Sequence, residues 1–213
     1  ENATFPNHLV EKFGEMGFLG MNLPEKYNCA GMSNVAYGLM CQEMERGDSG
    51  VRSFISVQGS LVMYPIFAYG SEEQRKYWLP KLASGEAIGC FGLTEPDYGS
   101  NPSGMLSNIK DMGDYFLLNG TKMWISNAPF AHLAVVWAKN EEGRIKGLIV
   151  ERGMEGFETP EMHGKHSLRA SATGELIFNN VKIPKENIFT EKDLISLRDH
   201  TYGVIKKELD NEA

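Results

Sequence analysis

Apolar residues recur three and four apart through the first third of the chain and two apart through most of the remainder. The period therefore changes from helical to strand-like near residue 86. Leu9, Val10, Phe13, Met16 and Phe18 predict a short amphipathic helix over 8–18 that stops at Gly17 or Gly20. Ser33 can cap a second helix reaching about Arg46, with Val35, Leu39, Met40 and Met44 on its inner face. After the break at Gly47-Asp48-Ser49-Gly50, Asp48 or Ser49 can cap a third helix from Val51. Its residues Val57, Leu61, Val62 and Ile66 make it apolar around most of its girth, as a central helix should be. Gly70 ends that helix. Ser71-Glu72-Glu73-Gln74 reads as a capping box opening a fourth one, with Tyr77, Trp78 and Leu82 on the buried side and a kink or early stop at Pro80.

Beyond Gly85, strand-like segments are predicted at 88–93, 106–110, 115–118, 121–125, 133–137, 146–150, 156–162 and 174–183. Asp111 to Asp114, Asn119-Gly120, Glu142-Gly143 and Arg152-Gly153 supply the turns between them, Asn119-Gly120 as a tight one. The expected fold class is α+β. An all-α N-terminal domain over 1–86 is followed by an antiparallel β-barrel or orthogonal sandwich over 87–190, and a charged, loosely helical tail occupies 191–213.

Composition narrows the functional classes. A chain of 213 residues with 42% hydrophobic and 23% charged residues can bury a core. Its 21 basic and 28 acidic residues give a net charge of −7 and no basic cluster, which argues against a nucleic-acid partner. The longest apolar region, 54–69, is broken by Gln58, Gly59 and Pro65, so no membrane span is expected. Cys29, Cys41 and Cys90 are too few and too scattered for a disulfide framework and suggest a reducing compartment. His163 and His166 have no partners at metal-ligand spacing, and no metal site is expected.

The chemistry concentrates at the change of period. In Cys90-Phe91-Gly92-Leu93-Thr94-Glu95-Pro96-Asp97-Tyr98-Gly99-Ser100 an apolar strand leads into a Pro- and Gly-broken loop that leaves backbone N–H groups and hydroxyls free for a ligand. Upstream, Arg52 falls in the first turn of the third helix, where the helix dipole disfavours a cation unless an anion joins it. Asp48 or Glu45 could be that anion, or a ligand carboxylate held in the guanidinium fork.

The phrase around Thr94, together with Lys122-Met123-Trp124-Ile125-Ser126-Asn127, resembles the two flavin-binding signatures of the acyl-CoA dehydrogenase family. Arg46-Gly47-Asp48-Ser49-Gly50-Val51-Arg52-Ser53, Ala68-Tyr69-Gly70-Ser71-Glu72-Glu73-Gln74-Arg75 and Ser167-Leu168-Arg169-Ala170-Ser171-Ala172-Thr173-Gly174 look like the glutaryl-CoA-specific branch. The resemblance runs in one register from about residue 8 to residue 189. It implies FAD as cofactor, with Leu93 and Thr94 at the pyrimidine end of the flavin, Ser126 at its N5 edge, Trp124 and Ile125 flanking the ring, and Phe91 and Gly92 completing the lining. The third helix would line the acyl pocket. Ser100 would hold the CoA arm, and Arg52 with Ser53, near Glu45 and Ser56, would bind the far carboxylate of a dicarboxylic acyl chain.

The reaction so implied is α,β-dehydrogenation of an acyl-CoA, here oxidative decarboxylation of glutaryl-CoA to crotonyl-CoA in lysine and tryptophan degradation. An electron-transfer flavoprotein would be the acceptor. The location would be cytoplasmic in a bacterium or the mitochondrial matrix in a eukaryote. The family's catalytic glutamate and its main oligomer contacts lie in a long C-terminal helical bundle that the tail does not match. No catalytic residue is therefore expected in this chain, and the homo-oligomer belongs to the longer form. The alternatives are a short- or medium-chain acyl-CoA dehydrogenase and a truncated, noncatalytic acyl-CoA- or partner-binding module.

Overall fold

The protein is described by a computed structural model over residues 4–189, and the tail over 191–213 lies outside the described residues. Five α-helices precede seven strands: α1 (Val10–Glu15), α2 (Asn34–Gly47), α3 (Ser49–Ser56), α4 (Tyr64–Tyr69) and α5 (Glu72–Ser84), then β1 (Gly89–Gly92), β2 (Asn108–Asp111), β3 (Tyr115–Ser126), β4 (Leu133–Lys139), β5 (Ile145–Glu151), β6 (Phe157–Glu158) and β7 (Thr173–Pro184).

The helix starts follow their caps. Ser33 accepts the Ala36 N–H at 3.2 Å, and Asp48 accepts those of Gly50 and Val51 at 2.7 and 3.0 Å. Ser71 and Gln74 form the full capping box, and Gly85 closes α5 at φ +81°. Pro80 does not shorten α5, which runs on to Ser84. Between α3 and α4 the helix widens into a π-helical stretch, Val57–Met63, that the apolar pattern did not foretell. Two predicted faces hold only in part, Trp78 and Leu82 on α5 being buried as expected. Of the four residues assigned inward on α2 only Met40 is buried, while Val35 and Leu39 are 72% and 60% exposed; on α5, Tyr77 is exposed. Periodicity finds an apolar stripe but not whether a neighbour covers it.

The strands form one mixed sheet in the order β1-β4-β2-β3-β7-β6, with β5 on β4. Its half-barrel curl agrees with the expected architecture. The pairings are not all antiparallel, however: β1 runs parallel to β4, Gly89 opposite Leu133 through Gly92 opposite Val136, and β2 meets β4 in parallel at Asn108. A long connection separates β1 from β4 and lets the chain return in the same direction.

The Asn119-Gly120 turn is absent. Both flanks belong to the single strand β3, and the irregularity there is an extra residue on β7, where Asn180 takes φ +53° and its N–H bonds Asn119 Oδ1 at 2.9 Å. Gly120 is required for another reason: a Cβ there would lie 2.3 Å from Ser107 Oγ.

β4 carries the core on both faces. Leu133, Val135 and Trp137 pack with Val62, Ile66, Leu79 and Leu82 of the helices. The alternate residues Ala134, Val136 and Ala138 join Leu118, Leu176 and Phe178 inside the curl. The buried Gln58 side chain ties the layers. Its amide donates to Leu82 O (3.0 Å) and Ala87 O (2.9 Å), and its oxygen accepts Gly89 N–H (2.9 Å). Cys29 and Cys90 are buried, and burial pushes their thiols up to about 11 and about 12, away from reactivity. Among the described residues no helix is long and apolar enough to cross a membrane.

Candidate functional site

Where β1 runs out beside the C-terminal end of β3, a cavity of about 250 Å³ opens against the π-helical stretch. Its walls are Val57, Leu61, Phe91, Leu93, Thr94, Trp124, Ile125 and Ser126. Six of the seven residues expected around a flavin thus converge there from two separate segments. Gly92 backs the cavity without lining it: it is buried, and a Cβ on it would come within 2.8 Å of Leu176 and 3.3 Å of Lys122. Neither the Thr94 nor the Ser126 hydroxyl bonds another described side chain or backbone group, so both can meet a ligand. No wall residue is an acid or a base.

The rim owes its shape to a bulge. β3 carries one residue more than β7 between Lys122 and Ile125, and Trp124 takes φ +62°. Ile125 then points into the core while the Trp124 ring is 60% exposed at the cavity mouth. A bulky residue in the left-handed region is a local strain held by its surroundings.

The group expected to bind a substrate carboxylate, Arg52 with its neighbours, sits in the first half of α3, ahead of Val57. Arg52 Nε donates to Glu45 Oε2 at 2.6 Å, and its Nη1 donates to Ser56 Oγ at 3.3 Å. Glu45 also accepts the Ser49 hydroxyl at 2.5 Å. The Ser49 hydroxyl, then the Arg52 guanidinium, hold the Glu45 carboxyl below its ordinary value. Glu45 is therefore the internal anion weighed for Arg52, while Asp48 serves the cap. Ser53 gives its carbonyl to Ser56. Ser100 is exposed in the loop after β1 and does not line the cavity.

Two buried charges behind the cavity escaped the sequence reading. Lys122 Nζ bonds Glu95 Oε1 at 2.9 Å, their side chains being 0% and 5% exposed. Burial pushes the Glu95 carboxyl up, but the Leu106 amide, the Lys122 ammonium and the Ser107 amide outweigh it and leave the carboxyl below its ordinary value. Burial lowers Lys122, which Glu95 only partly offsets. The signal was present in the sequence: a lysine within the apolar alternation of a strand needs a buried anion.

His132 has a structural role, its Nδ1 accepting the Ile88 N–H at 3.0 Å. A larger cavity of about 560 Å³ is lined by Phe5, Phe130, His163, Lys165, His166 and Arg169 among others, and by none of the flavin-type residues.

The chain and its fold match known proteins. Models of the acyl-CoA dehydrogenase N-terminal and middle domains match residues 1–86 and 90–181, and the chain belongs to the acyl-CoA dehydrogenase family. A glutaryl-CoA dehydrogenase from Mycobacterium smegmatis, solved in complex with FADH2, superposes with a TM-score of 0.87 at 52% identity, over 90% of this chain and 49% of that one. The glutaryl-CoA dehydrogenase of Desulfococcus multivorans is 40% identical over 195 residues, 88% of this chain and 50% of the relative. The mitochondrial short-chain specific acyl-CoA dehydrogenase of Rattus norvegicus is 37% identical over 191 residues, 88% and 46% respectively. The chain spans about half the length of the relatives it matches.

Proposed function

We propose that this chain forms the flavin-cradling part of an FAD-dependent acyl-CoA dehydrogenase whose substrate is glutaryl-CoA. The observation that carries the reading is the convergence of Leu93, Thr94, Trp124, Ile125 and Ser126 on one cavity against Val57 and Leu61. These residues fit a flavin: apolar walls for the ring, hydroxyls from Thr94 and Ser126 for its polar edges, and an indole to cover it. Bound there, FAD would supply the acceptor for the hydride leaving the acyl β-carbon. The chain's own groups bind and orient. Thr94 and the Leu93–Thr94 backbone donate toward the end where negative charge develops, and the apolar wall keeps water out.

Arg52 selects the substrate. Glu45 engages its Nε and Ser56 its Nη1, so the fork retains donors for the distal carboxylate of a dicarboxylic chain. Proton abstraction from the α-carbon falls to a carboxylate that the cavity walls do not contain, and loss of the γ-carboxylate as carbon dioxide, with a proton taken up at the γ-carbon in its place, then gives crotonyl-CoA. Ser100 steadies the CoA arm. An electron-transfer flavoprotein would be the electron acceptor, and the working form is a homo-oligomer.

Titrating the chain with FAD and following flavin fluorescence and absorbance tests the cofactor; retention of free-flavin spectra at saturating protein would overturn it. Calorimetry with glutaryl-CoA and butyryl-CoA then tests the substrate. Arg52→Ala should weaken glutaryl-CoA about 10- to 100-fold and leave butyryl-CoA within about threefold, the loss of a charge-assisted fork. Equal losses for both would shift the reading to a short-chain enzyme, which the similarity to the rat relative also supports.

A further inference from the structure

The Lys122–Glu95 pair is engaged by none of the chemistry above, yet each member adjoins a different wall of the cavity. Leu93 and Thr94 immediately precede Glu95, and Trp124, Ile125 and Ser126 come just after Lys122. Lys122 Nζ donates to Glu95 Oε1 at 2.9 Å and to Leu93 O at 3.2 Å, and lies 3.8 Å from Met105 Sδ. Glu95 also accepts the amides of Leu106 (2.7 Å) and Ser107 (2.9 Å), which anchors the far end of the loop. One backbone bond closes the same junction, from Met123 N–H to Thr94 O at 2.9 Å. Gly92, lacking a Cβ, leaves the room through which the lysine stem passes.

Stability alone is a weak reason for such a pair. Desolvating two charges costs about what their attraction returns, and an apolar pair of equal volume would pack as well. Direction is what an apolar pair cannot supply. The ammonium picks out one carbonyl and one carboxylate, and so sets the Leu93–Thr94 turn against β3 in a single register. That register matters because Trp124, two residues on, holds a strained left-handed conformation that persists only where the surroundings over-determine it.

We propose that Lys122 and Glu95 are positioning residues for the flavin cavity, bolting the Leu93–Thr94 wall to the Trp124–Ser126 wall so that the Thr94 and Ser126 hydroxyls face the ring at fixed angles. The inference rests on the flavin reading of this cavity, but its structural half can be tested without flavin. The ion pair carries no net charge, and the action proposed for it is geometric: it fixes one wall against the other.

The decisive comparison is among wild type, Lys122→Met and the double variant Lys122→Met/Glu95→Gln, which removes both charges and keeps an acceptor for a loop amide. Three quantities are read: the urea midpoint, hydrogen exchange of peptides over 90–98 and 121–127 without flavin, and FAD affinity with the shape of the flavin absorption bands. Lys122→Met should be destabilised, since it strands a buried carboxylate. The double variant should recover most of the urea midpoint yet still exchange faster in both peptides, and should bind FAD at least about tenfold more weakly. A double variant with wild-type exchange and wild-type affinity would reduce the pair to a packing element and overturn the proposal. Failure of wild type itself to bind FAD would overturn the flavin reading, with exchange alone deciding whether the pair orders the cavity. If the double variant does not fold, Lys122→Arg decides: unchanged exchange and affinity with a misplaced donor would also overturn the proposal.

Discussion

Trp124 shows how much one backbone angle can determine at a site. At φ +62° a tryptophan costs roughly 1–2 kcal/mol more than a glycine, and with 60% of its surface exposed it recovers little of that by burial. Its conformation therefore serves what the ring faces, not what the ring packs on. Trp124→Gly should raise stability by up to about 1 kcal/mol in urea unfolding while lowering FAD affinity. Trp124→Ala keeps the strained angle without the ring and should lose affinity with no gain in stability. A glycine variant less stable than wild type would mean that the ring is held by packing after all. The residue names at this site were readable from their resemblance to flavin signatures; the bulge that aims them was not, because an extra residue in one strand is visible only once its partner strand is placed.

At the scale of elements, what the sequence made legible was what local chemistry decides. Ser33, Asp48 and Ser71 cap α2, α3 and α5 because a side-chain oxygen next to unpaired N–H groups needs no distant partner. Asn119-Gly120 misled for the converse reason: its hairpin signal was overruled by pairing with β2 on one edge and β7 on the other. The π-helical stretch was equally hidden, and Gln58, a polar break in an apolar run, turns out to be its anchor. Because the Gln58 amide satisfies Leu82 O, Ala87 O and Gly89 N–H inside the core, Gln58→Leu should cost about 2–4 kcal/mol, from three buried groups left unpaired. Asp48→Ala, losing one cap near the surface, should cost only about 1 kcal/mol. Urea unfolding of the two variants checks the ranking, and equal costs would mean that water reaches the Gln58 site.

For the molecule as a whole, the carboxylates decide how stability responds to acid. Glu45, Glu72, Glu73, Glu95 and Asp111 all titrate below their ordinary values in the folded chain. A carboxyl depressed on folding adds stability that is fully present above its unfolded value, near about 4, and is lost as pH falls through the folded one. Over that window the unfolded chain binds more protons, and each such proton contributes a slope of up to about 1.4 kcal/mol per pH unit. The five do not weigh alike. Glu45, Glu72 and Asp111 pair with cations at the surface and Glu73 is solvated, so salt screens much of their share. Glu95 is 5% exposed and bonded to a lysine with no exposure at all, so its share should survive salt. Stability should therefore fall as pH drops from about 5 toward 3, with a component that persists at high ionic strength. Lys122→Met/Glu95→Gln should remove that persistent component and keep the salt-sensitive one. If high salt abolished the acid slope in the wild type, Glu95 would have to be reached by solvent, and the pair behind the cavity would not be the dry junction that the geometry describes.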